Sequence, residues 1–184
     1  MEQPMLESLD SLEEIMERGM LKVCNATCGA PVQMMSSPDI DGKWDEFLEH
    51  YVGDAVALVN DYPMAALGFA AYLGMAVAHQ WDADWPHYKD KHYKSYYGDR
   101  GFDNMDDHIV GDILHLDASR AGKLSGALMS CCQAILDLFR HEGIELNTEY
   151  GFYALVRAFS VMYKVGVGIE LSRLGYKKQP AQLQ

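Results

Sequence analysis

The stretch PMAALGFAAYLGMAVAHQW, residues 63–81, decides the fold, because it is apolar on every side of a helix and opens with a proline. Proline suits the first turn of a helix, and a helix that is apolar all round is buried. The uncharged apolar run within this stretch is shorter than the about 20 residues that a bilayer span needs. We therefore expect 63–81 to form a buried central helix and not a membrane span.

Small residues recur along this stretch with helical spacing. Ala70, Gly74 and Ala78 follow one another at intervals of four residues, so they share one face of the helix. A stripe of small side chains lets a neighbouring helix approach closely. We expect a second helix to pack directly against Gly74.

Two amphipathic helices are predicted before the central helix. Ser11 and Glu14 have the spacing of a capping box, so we expect the first helix to begin at Ser11 and to end before Gly29. Proline, serine and glycine residues predict a long loop over 29–43. Apolar residues at three- and four-residue steps then predict a second helix over 44–60.

Helical periodicity also continues after the central helix. A short aromatic helix is expected over 86–97, and one helical period runs through 104–141. A single unbroken helix over 104–141 would be about 57 Å long at 1.5 Å per residue. A compact chain of this length has a radius of gyration near about 16 Å. We therefore expect a break or kink at 118–122.

The last helix is predicted to be long. Asn147 and Thr148 can cap its first turn, and apolar residues continue to about Leu174, followed by a flexible tail over 175–184. The fold class that follows is all-α: one domain, 1–184, formed by a bundle of about six to seven helices. The central helix 63–81 is buried in it, beside the long C-terminal helix.

The charge of the chain limits its partners. The 184 residues include 27 acidic and 15 basic side chains, which give a formal net charge of -12. Nucleic acids and anionic membranes bind basic surfaces, so we expect neither as the main partner. The balance is reversed in 151–184, which holds five basic residues and one acidic residue. A small anionic ligand therefore remains possible at the C-terminal helix.

The location is predicted from the N-terminus and the cysteines. The N-terminal residues MEQPMLESLDSLEE are acidic and lack the apolar core of a secretory signal. The adjacent Cys131 and Cys132 do not resemble a secreted disulfide framework. We expect a cytoplasmic protein with reduced thiols.

The densest group of metal-ligating side chains follows the central helix. It consists of His79, Asp82, His87 and His92. Imidazole and carboxylate groups suit zinc, iron or manganese if at least three of them converge. The alternative is that the histidines are polar tips within a packed aromatic segment.

The same segment is rich in aromatic residues. Residues 81–97 contain two tryptophans and four tyrosines, among them Trp85, Tyr88 and Tyr93, interspersed with lysines. This composition is typical of protein–protein interfaces. We therefore expect 81–97 to be a contact or ligand surface, used with a second copy of the chain or with another protein.

A polar stripe runs along the otherwise apolar last helix. It is formed by Tyr153, Arg157, Ser160 and Lys164. Two fixed cations beside two hydroxyl groups can hold a carboxylate or a phosphate. The alternative is a solvent-facing edge, or a salt-bridged seam to the acidic remainder of the chain.

No catalytic motif is present in the sequence. The chain has no H-E-x-x-H, no Walker phosphate loop, no G-x-G-x-x-G and no G-x-S-x-G. The first hypothesis is therefore a non-catalytic binding or interaction module. The second is an enzyme or sensor with a metal or small anion at one of the two polar groups described above.

Overall fold

The apolar stretch that begins at Pro63 is a helix, and it lies at the centre of a computed structural model that describes residues 2–179. The protein is all-α, as predicted: 76% of it is helical, and the described residues contain no strand. The described residues form six α-helices: α1 (Gln3–Thr27), α2 (Pro38–Val56), α3 (Pro63–Tyr88), α4 (Met105–His108), α5 (Ala118–His141) and α6 (Glu149–Arg173).

The contact between α3 and α6 is the most extensive in the bundle. A Cβ atom added at Gly74 would lie 2.2 Å from the carbonyl oxygen of Tyr163. One added at Gly166 would lie 1.8 Å from the carbonyl oxygen of Ala71. The two helices therefore touch through their main chains, and the expectation that a helix packs directly against Gly74 is confirmed.

The other long helices surround this pair. α1 packs on α6 and α5, and α2 packs on α3 and α6. Buried tyrosines connect the layers: the Tyr51 hydroxyl donates to the Ala66 carbonyl at 2.6 Å, and the Tyr163 hydroxyl donates to the Ile40 carbonyl at 2.9 Å. The ring of Trp44 stacks on Tyr163 with 4.6 Å between centroids. Polar tips in the core are thus hydrogen-bonded, as burial requires.

The predicted start of the first helix was wrong. α1 begins at Gln3, and Ser11 lies inside it, with its hydroxyl donating to the Glu7 carbonyl at 2.9 Å. The loop after α1 is also shorter than predicted, because α2 begins at Pro38. The Ser37 side chain caps α2 by accepting the Ile40 N–H at 3.3 Å.

α3 extends beyond the predicted end to Tyr88, but with a kink. The backbone of Asp84 is non-helical, at φ -166° and ψ 77°, just before Pro86. Proline has no N–H to continue the helical ladder and collides with the preceding turn. The Asp84 carboxylate accepts the His87 N–H at 3.4 Å, so it caps a short second segment. Tyr93–Tyr96 then form a 3₁₀ turn in place of the rest of the predicted aromatic helix.

The break predicted in 104–141 exists, a few residues before 118–122. α4 passes into a π-helical turn at Ile109–Ile113, and His115 has a positive φ of 51°. Asp117 then caps α5 by accepting the Arg120 N–H at 2.8 Å. The predicted Thr148 cap of α6 is confirmed, since its hydroxyl accepts the Gly151 N–H at 3.0 Å.

The predicted tail, 175–184, is described in part. The Tyr176 hydroxyl donates to Asp82 at 2.6 Å, and the Lys178 N–H donates to the Gln33 side chain at 2.8 Å. Residues 180–184 lie outside the described residues.

Among the described helices, α6 alone is long and apolar enough to cross a membrane, with a mean hydropathy of 1.3 over its most apolar window. Within the protein, 67% of that window is buried. Such burial is the pattern of the core helix of a soluble protein.

Replacing Gly74 by alanine tests the main-chain contact. The new Cβ would meet a carbonyl group that cannot rotate away, so we expect the free energy of unfolding to fall by about 2–3 kcal/mol. Gly126→Ala on α5 is the control, because its Cβ would meet nothing within 4 Å. Urea denaturation of both variants measures the effect, and equal stability of the two would contradict the packing described.

Candidate functional site

The four predicted metal ligands do not converge. The Nδ1 atom of His79 lies 2.8 Å from the Oε1 atom of Glu170. The Asp82 carboxylate accepts a hydrogen bond from the Tyr176 hydroxyl. His87 and His92 are exposed at the surface. Within residues 2–179, no group of three or more histidine, cysteine, aspartate or glutamate side chains is arranged to hold a metal ion. The kink at Asp84 separates the two ends of the predicted group.

Much of the aromatic segment is turned inward. Tyr93 is 5% exposed, and its hydroxyl donates to Asp54 at 3.0 Å. The Tyr97 hydroxyl donates to the same carboxylate, and burial together with Asp54 raises the pKa of Tyr97 to about 12. Trp85 and Tyr88 are partly buried. These contacts fix the segment to α2, while its use as a contact surface stays a prediction.

The cations of the polar stripe on α6 are paired with α1. Arg157 donates to Glu13 at 2.5 Å and to Asp10 at 2.8 Å, and Lys164 donates to Glu13 at 2.8 Å and to Glu17 at 2.5 Å. This is the salt-bridged seam that the sequence offered as the alternative. Both cations are thus paired within the protein, and use of the stripe as an anion site stays a prediction.

The remaining polar residues of the stripe also have partners within the protein. The Ser160 hydroxyl accepts the indole N–H of Trp44 at 2.9 Å and donates to the Val156 carbonyl at 3.2 Å. Tyr153 packs edge-on against Phe152 with 5.5 Å between ring centroids. The stripe therefore joins α6 to α1 and α2.

A buried carboxylate near the end of α6 was missed by the sequence analysis. Glu170 is fully buried, and Arg173 donates two hydrogen bonds to it, both of 2.7 Å. Because a carboxylate can only accept, the Nδ1–H of His79 donates the third. The hydrogen bond to Glu170 raises the pKa of Arg173. The available signal was that Glu170 is the one acidic residue of 151–184, within an apolar helix.

The four cysteines are free thiols. The Sγ atoms of Cys24 and Cys131 are 3.5 Å apart, and this hydrogen bond raises the pKa of Cys24 to about 12. Burial raises the pKa of Cys132 to about 12 as well. Thiols with such pKa values are almost wholly protonated at neutral pH and are therefore weak nucleophiles.

A cavity of about 250 Å³ lies next to Arg173. It is lined by the loop after α1, by α3 and by the facing ends of α5 and α6, and it is open to solvent on one side. Its apolar wall includes Val32, Met75, Leu116, Leu124, Ala127 and Ile169. Three cations also line it: Arg120, Lys123 and Arg173. We call it the cationic cavity.

The three cations of the cationic cavity differ in their partners. Arg173 is held by buried Glu170, whereas Arg120 pairs with Asp117 at 2.9 Å in a bridge whose two side chains are both more than half exposed. Lys123 makes no ion pair and no side-chain hydrogen bond within residues 2–179. The wall therefore has one net positive charge, on a side chain that is available to a ligand.

No family model, no curated protein and no solved structure matches this chain in the comparisons made.

Replacing Arg173 by methionine tests the buried ion pair. The change leaves Glu170 in the core without its bidentate partner, so we expect a loss of about 3–5 kcal/mol in the free energy of unfolding. The double variant Arg173→Met, Glu170→Leu is expected to recover most of this loss. Arg120→Met is the control. We expect it to lower the free energy of unfolding by less than about 1 kcal/mol, because the salt bridge between Arg120 and Asp117 is exposed. A double variant as unstable as the single one would contradict this account.

The seam between α1 and α6 predicts a dependence on pH. Burial alone would raise the pKa of Glu13, but hydrogen bonds and charges from Lys164 and Arg157 outweigh it and lower the pKa below 4.5. The stabilisation is therefore present above about pH 4.5 and is lost as the pH falls through the lowered pKa.

Glu13→Gln measures this contribution. At pH 7 we expect the free energy of unfolding of the variant to be about 1–2 kcal/mol lower than that of the native protein. The reason is that the Glu13 carboxylate accepts hydrogen bonds from two cations. The difference should shrink as the pH is lowered below 4.5. Exposed Glu14→Gln serves as the control in the same urea titrations, and a difference that does not change with pH would refute the assignment.

Proposed function

We propose that the protein is a non-catalytic binding protein and that its ligand is a small amphipathic anion, such as a medium-chain carboxylate, held in the cationic cavity. One observation supports this most directly. Lys123, which forms no ion pair within the described residues, lies on the wall of a cavity that is otherwise mainly apolar. An apolar cavity with few polar groups is the usual form of a small-molecule site.

The two parts of the cavity suit the two parts of such a ligand. Burial of an alkyl chain against Leu124 and Ile169 contributes roughly 25 cal/mol per Å² of apolar surface removed from water. A carboxylate beside Lys123 gains a charge-assisted hydrogen bond. Arg120 can join it at little cost, because an exposed salt bridge such as that with Asp117 contributes little.

The size of the cavity guides the choice of a probe. Its volume of about 250 Å³ is larger than the about 150 Å³ of an apolar cavity that binds benzene. A ligand somewhat larger than benzene, such as a chain of about eight carbons, therefore has room there. Octanoate is therefore a suitable probe.

The location and the assembly of the protein are part of the same proposal. We infer a cytoplasmic location, supported by four free cysteines. We also propose that residues 81–97 contact a second copy of the chain or another protein. Lys89 and Lys94 are exposed in this segment, and Trp85 is partly buried. Nucleic acid and membrane are not among the proposed partners, because the net charge is -12.

Calorimetric titration with octanoate tests the cavity. We expect binding to the native protein and roughly tenfold weaker binding to Lys123→Gln, which loses one charge-assisted hydrogen bond. Lys22→Gln, an exposed change on α1, is the matched control and should bind as the native protein does. Ala127→Leu adds bulk to the wall and should abolish binding.

Two results would overturn the proposal. If 1-octanol, which has the same chain without the charge, binds as tightly as octanoate, Lys123 does not select the ligand. If octanoate binds equally to Ala127→Leu and to the native protein, the cationic cavity is not the site. Circular dichroism of each variant confirms that it is folded.

A further inference from the structure

A second cavity lies on the opposite side of α5. It is a groove of about 220 Å³ between α3, α4 and α5. Its wall is aromatic and aliphatic and includes Met64, Phe69, Tyr72, Leu128 and Met129. Asp106, the second residue of α4, lines the same groove. We call it the acidic groove.

Asp106 contributes a carboxylate without a cationic partner. It is partly buried, and no lysine, arginine or histidine within residues 2–179 forms an ion pair with it. Burial raises its pKa and the neighbouring charge of Asp107 adds to this effect, although backbone N–H groups and the charge of Arg100 act in the opposite direction. A carboxylate that has lost water in this way gains most from a cation that reaches it through the groove.

The wall beside Asp106 also favours a cation. Aromatic rings attract an ammonium group through their faces, and the groove offers the rings of Phe69 and Tyr72. Methionine side chains adapt to the shape of an apolar group, and Met129 is 54% exposed at the groove. The overall charge of -12 further raises the local concentration of cations.

We propose that the acidic groove is a binding site for a small primary ammonium that has an aryl or alkyl group, with Asp106 as its counter-ion. The ammonium lies against the Asp106 carboxylate, and the apolar group lies between Phe69 and Met129. This site is distinct from the proposed anion site, because it is lined by the opposite flank of α5: Ser125, Leu128 and Met129 rather than Leu124 and Ala127.

Binding of 2-phenylethylammonium, measured by calorimetry at pH 7, tests the proposal. The neutral 2-phenylethanol has the same ring and chain and should bind at least fivefold more weakly. Asp106→Asn, which keeps the shape of the side chain, should weaken binding of the ammonium by about fivefold or more. The matched control is Asp107→Asn, an exposed neighbour that does not line the groove and should change the affinity less than twofold.

A second measurement uses the native protein alone and does not depend on the folding of any variant. In methyl NMR spectra, the signals of Met64 and Met129 should shift as 2-phenylethylammonium is added. Those of Met34 and Met35, which lie beside Trp81, should not.

Three results would overturn the proposal. They are equal affinity for the ammonium and the alcohol, equal loss of affinity in the two aspartate variants, and unchanged Met64 and Met129 signals at saturation. None of them bears on octanoate, so this proposal and the anion site stand or fall separately.

Discussion

The rest of the structure depends on the main-chain contact between α3 and α6. Gly74 and Gly166 have no side chains, so a carbonyl group of the opposite helix occupies the space of each missing Cβ. This contact places the end of α3 beside the end of α6, where His79 meets Glu170. The two helices also form part of the wall of the cationic cavity, through Met75 on α3 and Ile169 on α6. α1, α2 and α5 pack around this pair of helices.

The charges of the molecule follow from this arrangement. The three cations of α6 are all used within the fold: Arg157 and Lys164 join α1, and Arg173 neutralises Glu170. The charges proposed to meet ligands lie on α5 and α4. Lys123 leaves the cationic cavity with one net positive charge, Asp106 gives the acidic groove a carboxylate, and each charge stands beside a mainly apolar wall. This combination is the basis of the selectivity proposed for each cavity.

Periodicity predicted the elements better than it predicted the partners of their side chains. The burial of α3, the close approach at Gly74 and the Thr148 cap were predicted, because they depend on local composition and spacing. The capping box at Ser11 was wrong, since the helix had begun earlier, at Gln3. The ion pairs of Arg157 and Lys164 were offered only as an alternative, because a helical stripe shows which residues share a face and not which carboxylates of α1 lie opposite. The two cavities combine residues from distant segments, which no single-helix pattern brings together.

The two cavities share one wall. α5 presents Leu124 and Ala127 to one cavity and Leu128 and Met129 to the other. This helix begins just after the π-helical turn and the left-handed His115. A ligand that moved α5 so as to widen one cavity would narrow the other. Thermodynamic reciprocity would then require that occupation of either cavity change the affinity of the other by the same factor.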